Sequence, residues 1–207
     1  MLASQLALKY RYENCAVVAL NDGGVVVGAQ IAAQLHCVLS LLLNEEITLP
    51  RELQAIAGIT QDGTVTYDQS LSPGELDELL GEYYHYIEQE KMTRLSKLHS
   101  AMGRGTTLDK RLLTGRNIIL TTDGLASGFA VDLAMAFLKP VAIDKLIIAT
   151  PLASVPAVDR MHIAADAIYC LSVVENYMNT DHYYDVRDIP PHDEVVRIIE
   201  QIILEWK

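Results

Sequence analysis

Five short apolar runs recur along the chain: Cys15–Leu20, Val38–Leu43, Asn117–Thr121, Lys145–Thr150 and Ala167–Leu171. They are continuous rather than alternating, the pattern of strands covered on both faces. Between them lie segments of helical period at Val25–Leu35, where Ala29, Ala32 and Ala33 permit close packing, at Ser127–Leu138 and at Val155–Ala164. Ser4 to Tyr12 forms a short amphipathic helix ahead of the first strand. A last helix begins at Asp193, with Val195, Val196, Ile199, Ile202 and Ile203 as its apolar stripe. Apolar strands joined through helices make βαβ units, whose crossovers are right-handed almost without exception.

Residues 44–72 break this rhythm. Pro50, Gly58 and Gly63 punctuate the alternating stretches Ala55–Thr60 and Thr64–Tyr67, and Asp62-Gly63 between them is a hairpin signal. Ser72, Pro73 and Glu75 then spell a helix start, a capping hydroxyl with proline at the first position and an acid three residues on. That helix is expected to run to about Leu98. The pattern as a whole predicts an α/β fold, a doubly wound, mostly parallel sheet in one domain over 1–207, with residues 44–115 inserted as a hairpin and helical hood.

The composition agrees with a globular domain. The chain has 207 residues, half of them hydrophobic, which suits a single core that buries roughly 70% of the unfolded surface without disulfides or metal. Sixteen basic against 27 acidic residues leave a formal charge of −11. Nucleic acid and anionic membranes both demand a dominant positive field, so neither is expected as a partner. Cys15, Cys37 and Cys170 are odd in number and lack metal-ligand spacing, which reads as buried reduced thiols. With no cationic leader before Lys9 and no apolar stretch near 20 residues, a cytoplasmic setting is expected.

In sheets of this kind ligands settle beyond the carboxyl ends of the strands. Two loops there carry chemistry. Asn21-Asp22-Gly23-Gly24 follows the first strand, and Thr122-Asp123-Gly124-Leu125-Ala126-Ser127-Gly128 follows the Asn117 strand. The second combines an acid, two glycines and a hydroxyl at a helix start, where exposed amides and the helix dipole favour a phosphate. The plainer alternative is a turn with a cap. The dipole alone supplies only about 0.3–1 kcal/mol, so several converging amides are required.

Taken together, VVALNDGGVVVGAQIAAQL and NIILTTDGLASG resemble, in order, two motifs of the type I phosphoribosyltransferases: a Pro-Arg-Gly-Gly loop, and a strand ending in two acids before Gly-x-Ala-Thr-Gly. NEEITLPRELQAIAGITQDGTV and the tail YYDVRDIPPHDEVVRII are similar to one bacterial subgroup of that family. The resemblance implies that Leu125, Ala126, Ser127 and Gly128 cradle the 5-phosphate of phosphoribosyl pyrophosphate. It also implies that Asp123 meets a ribose hydroxyl or magnesium (Mg2+), and that Gly23 and Gly24 admit the pyrophosphate. The reaction implied is attack by a nitrogenous acceptor on an oxocarbenium-like ribose as magnesium pyrophosphate departs, commonly in a homodimer.

Two departures point to weakened catalysis. Thr122 stands where the family has its first acid, and a hydroxyl carries no charge with which to orient magnesium. Asn21-Asp22 replaces Pro-Arg; two like charges ~4 Å apart cost about 4 kcal/mol at an effective dielectric near 20. Seven basic residues between Lys91 and Arg116 offer compensation, with Arg104 between Gly103 and Gly105 as the side chain expected to close over an anion. A non-catalytic sugar-phosphate or nucleotide sensor, or an assembly module keeping the fold, is the alternative. Tyr83, Tyr84 and Tyr86 suggest a partner surface. Asp181-His182 is a weaker metal or base candidate beside Tyr183 and Tyr184, whose rings are expected to pack the last crossover on the sheet with their hydroxyls at the rim. The sequence contains no nucleophile elbow, P-loop lysine or zinc motif.

Overall fold

A computed structural model of the chain describes residues 1–52, 54–102, 108–186 and 188–204. Five parallel strands form the main sheet: β1 (Cys15–Ala19), β2 (Val38–Leu41), β6 (Asn117–Thr121), β7 (Lys145–Ser154) and β8 (Ala167–Val174), in the order β2-β1-β6-β7-β8. β1 and β6 are buried at every position. Their side chains divide by the strand period of two. Cys15, Val17, Ala19 and Ile119 face a core shared with α1 (Leu2–Tyr10), α2 (Asp22–Leu35) and α7 (His192–Leu204). Ala16, Val18, Ile118 and Leu120 face the other core, closed by α5 (Phe129–Leu138) and α6 (Val155–Ala164). Each fully buried aliphatic side chain is worth about 1.5–3 kcal/mol, so these two layers fix the sheet that carries the loops.

The insertion is more regular than its sequence suggests. The expected hairpin is present as β4 (Ala55–Thr60) and β5 (Val65–Tyr67), turning at Gly63 with φ +81. A further strand, β3 (Asn44–Thr48), pairs antiparallel with β4 and completes a three-stranded sheet. Its sequence, NEEIT, carries one buried apolar residue, Ile47, too little for a periodic signal. Ser72 and Glu75 form the expected reciprocal cap, with Ser72 Oγ accepting from the Glu75 amide at 3.3 Å. The helix they start does not reach Leu98 unbroken. α3 (Pro73–Glu82) ends at Tyr83, two residues past Gly81, a weak helix former in the helix interior, and α4 (Tyr84–Met102) follows.

Two other boundaries bear on the site. α2 begins at Asp22 rather than Val25, because Asn21 caps it by accepting from the Gly24 amide at 2.6 Å. β7 continues past Thr150 to Ser154, since Pro151 lies beyond the end of β6, where that side of the ladder has lapsed. There Leu125 takes the place of a β6 residue: its amide donates to the Leu152 carbonyl, and the Ser154 amide donates to the Leu125 carbonyl.

Candidate functional site

The β6–α5 loop is held from below and open above. Thr121, Thr122, Asp123 and Leu125 are buried, while Ala126 and Ser127 are exposed. Ser154 Oγ donates to the Ala126 carbonyl at 2.8 Å and fixes the turn. α5 starts at Phe129 with Gly128 in the cap position and no side-chain cap; Ser127 Oγ makes only a long contact, 3.4 Å, with the Phe129 amide. Among the described residues no protein group accepts from the amides of Ala126, Ser127 or Gly128. The Leu125 amide is taken by Leu152, and the Gly124 amide reaches Thr122 Oγ1 at 3.4 Å. Of the four cradle residues expected from the sequence, three therefore present unengaged amides.

Ala126 and Ser127 line a cleft of about 690 Å³, with Gly128 just behind them in the chain. One wall is the loop with Thr122, Phe129 and Ala130; the opposite wall is Asn44 and Glu46 of β3, Ala55 at the start of β4, and Gln54 and Asp68 flanking the hairpin strands. Tyr177 and Thr180, from the segment after β8, close one end, hydrogen-bonded to each other at 2.8 Å. Glu46 is open to the cleft, yet the surrounding walls withhold bulk water and push its carboxyl above the usual carboxylate range. Glu46 and Asp68 are the charged groups that line this cleft among the described residues.

Asp123 lies beneath that floor rather than on it. Its Oδ1 accepts from Asn21 Nδ2 at 2.8 Å, and its carbonyl accepts from the Tyr184 hydroxyl at 2.7 Å. Burial, and then the Asp123 charge, push the Tyr184 hydroxyl up to about 12. Thr122 is buried as well, with its hydroxyl donating to the Gly124 carbonyl at 3.1 Å. The turn after β1 is likewise self-engaged. Asp22 faces away from the cleft and pairs with His192 Nδ1 of α7 at 3.1 Å. Gly23 and Gly24 are buried: a Cβ on Gly23 would collide with the Asp123 side chain, and one on Gly24 would lie 2.5 Å from the Thr121 carbonyl oxygen. Packing of the two turns against each other accounts for both glycines. Gly128 has a similar reason, because the stem of Arg160 occupies the space of its missing side chain.

The basic stretch is largely spent on structure. Lys91 pairs with Glu88, Arg94 with Glu45 and Glu90, Lys110 with Asp62, and Arg111 with Asp109. Arg104 lies outside the described residues. Tyr86 turns inward to donate to the Thr48 carbonyl, and Tyr83 packs on the core, so the tyrosine cluster leaves Tyr84 as its exposed member. His182 stacks edge-on against Tyr183, and no group of three metal-ligating side chains is assembled among the described residues. Asn21, Asn44, Glu46 and Gln54 are the site residues that motif reading misses. The family motif spans Asn21 but gives it no role as a cap or as a donor to Asp123, and the others sit on an opposing wall that only tertiary folding creates. No described helix is long and apolar enough to cross a membrane.

Comparison with known proteins accords with this architecture. The family model for the phosphoribosyl transferase domain matches residues 1–185. Two Mycobacterium tuberculosis proteins, from strains H37Rv and CDC 1551 and provisionally named phosphoribosyl transferases, are each 26% identical over 187 residues, 89% of this chain. The chain spans 41% of their length. The crystal structure of the protein TT1426 from Thermus thermophilus is 23% identical with a TM-score of 0.69, covering 99% of this chain and 93% of that one, a likeness of fold.

Proposed function

The chain belongs to the phosphoribosyl transferase domain family, and from that premise we propose that it binds a ribose 5-phosphate compound, with phosphoribosyl pyrophosphate as the family's expected donor, at residues 122–128. The observation that carries this reading is the row of unengaged amides at Ala126, Ser127 and Gly128, at a helix start with no side-chain cap. A phosphate there would receive several N–H donors and the helix dipole together, with the Ser127 hydroxyl as one more donor. Asp123 holds the floor of the seat in register with the β1 turn through Asn21, as a positioning residue. Homodimer formation belongs to the same family-based expectation.

Pentosyl transfer is weakened in this reading. Catalysis of this kind stabilises charge on the departing pyrophosphate with groups already in place. Here the groups near that position are committed elsewhere: Asp22 to His192, and Asp123 to Asn21. The residues present do not fit a resident magnesium ion, because these carboxylates are engaged and no set of three ligands converges among the described residues. Those commitments also favour a second reading, a non-catalytic sugar-phosphate or nucleotide sensor.

Calorimetric titration separates the two. A working transferase should bind phosphoribosyl pyrophosphate with magnesium more tightly than ribose 5-phosphate. A sensor should bind ribose 5-phosphate as well or better, and indifference to both ligands would overturn the proposal.

A further inference from the structure

The wall facing the phosphate seat is rich in acceptors and carries two carboxylates. Asn44 Nδ2 donates to the Leu20 and Leu42 carbonyls at 3.0 and 3.1 Å, which leaves its Oδ1 for the cleft. The exposed Gln54 gives one Nε2 N–H to Asp68 Oδ2 at 3.3 Å, which leaves its Oε1 as an acceptor beside its second N–H. Glu46, two residues from Asn44 and on the same face of β3, lines the cleft with a carboxylate that has no hydrogen-bond or ion-pair partner among the described residues. Asp68 accepts from Gln54 and from the Ser70 amide and adds a second negative charge. No lysine, arginine or histidine among the described residues lines this cleft.

A bound ligand strips water from the exposed Glu46 carboxylate, and a charged acceptor that loses its water without gaining a donor is penalised. A ligand that completes this wall must therefore donate. Water meets the need in the free protein; a bound molecule that displaces it must bring N–H groups of its own. A carbonyl or carboxylate at the same point would set acceptor against acceptor and charge against charge.

We infer that the far half of the cleft selects a nitrogenous group rich in hydrogen-bond donors, an exocyclic amino group on a heterocyclic base being the simplest, and discriminates against keto and carboxylated counterparts. The selection holds whether the base arrives as a free acceptor or already joined to ribose 5-phosphate. Glu46 is the specificity-determining residue, with Asn44 Oδ1 and Gln54 Oε1 beside it. The inference rests on the phosphate seat of the preceding section. That seat anchors one end of the ligand, and a cleft of about 690 Å³ leaves room for a base at the other.

Pairs of nucleotides that differ in one group test it: AMP against IMP, and CMP against UMP, titrated beside ribose 5-phosphate into the full chain and into Glu46→Gln. A hydrogen bond to a charged acceptor is worth about 1.5–3 kcal/mol, so the amino member of each pair should bind roughly tenfold or more tightly than the keto member. In Glu46→Gln that preference should fall to within about threefold, with ribose 5-phosphate affinity held to within about twofold and circular dichroism unchanged. Equal or tighter binding of IMP and UMP, with ribose 5-phosphate still bound, overturns this inference alone. So does a Glu46→Gln effect that weakens ribose 5-phosphate as much as AMP. Failure of ribose 5-phosphate itself to bind the full chain removes the phosphate seat, and this inference with it.

Discussion

The turns after β1 and after β6 occupy equivalent places, each leading from a fully buried parallel strand into a helix at the carboxyl edge of the sheet. Their hydrogen bonds differ. In the first, Asn21 caps the helix, Asp22 pairs with His192, and both glycines are pressed against the neighbouring turn. In the second, the helix starts without a side-chain cap, and three consecutive amides are unengaged beside a cleft that Ala126 and Ser127 line. A helix start that satisfies itself has little left for a ligand, whereas one left open keeps its donors and its dipole available. The family motif marks both turns, but the hydrogen bonds commit the first to structural support and leave donors unengaged at the second.

The sharpest way to break this comparison is to disturb the support. Gly24→Ala places a methyl against the Thr121 carbonyl, a backbone atom that cannot yield as a side chain would. We expect a loss of about 2–3 kcal/mol, the upper part of the usual range for an overpacked site, read from the midpoint of urea unfolding. An unchanged midpoint would mean that the two turns are not packed as described. Asn21→Ala removes the cap and the donor to Asp123 together, and should lower stability by about 1–2 kcal/mol in the same measurement.

Glu46 gives a smaller effect with a definite sign. Though Glu46 is exposed on the cleft, partial desolvation by the cleft walls raises its carboxyl above the ordinary value of 4.5, so the folded chain holds that proton more tightly than the unfolded chain does. Its contribution to stability is complete below the ordinary value and is lost as pH rises through the raised one. Glu46→Gln should therefore match the parent near pH 4 and exceed it modestly at pH 7 in urea unfolding, whereas a deficit at pH 7 would contradict the assignment. Ser127→Ala should change stability by less than about 0.5 kcal/mol, since its hydroxyl makes one long contact in the free protein. This contrast with Asn21→Ala measures directly how differently the two helix starts are held.

The strands of the main sheet were legible because burial on both faces leaves uninterrupted apolar runs, and the Ser72 cap was legible because three residue types specify it locally. β3 was not, because Glu45 and Glu46 serve tertiary purposes, one pairing with Arg94 and the other facing the cleft. The β6–α5 loop could be singled out from its glycines and its place after a strand. That Leu125 would spend its amide on Leu152 could not be read, since it depends on β7 running four residues beyond Thr150. Nor could the destination of Asp22, whose partner His192 lies 170 residues away. The same long-range pairing separates a charge set against pyrophosphate, as the motif alone implied, from one turned aside to brace α7.

Amide chemical-shift mapping by NMR tests the central claim most directly, with ribose 5-phosphate titrated into the 15N-labelled chain. The account predicts saturable shifts largest at the amides of Ala126, Ser127 and Gly128, with Gly23, Gly24 and Val25 moving little. Shifts centred on the Asn21–Gly24 turn, or none at residues 126–128 at saturating ligand, would contradict it.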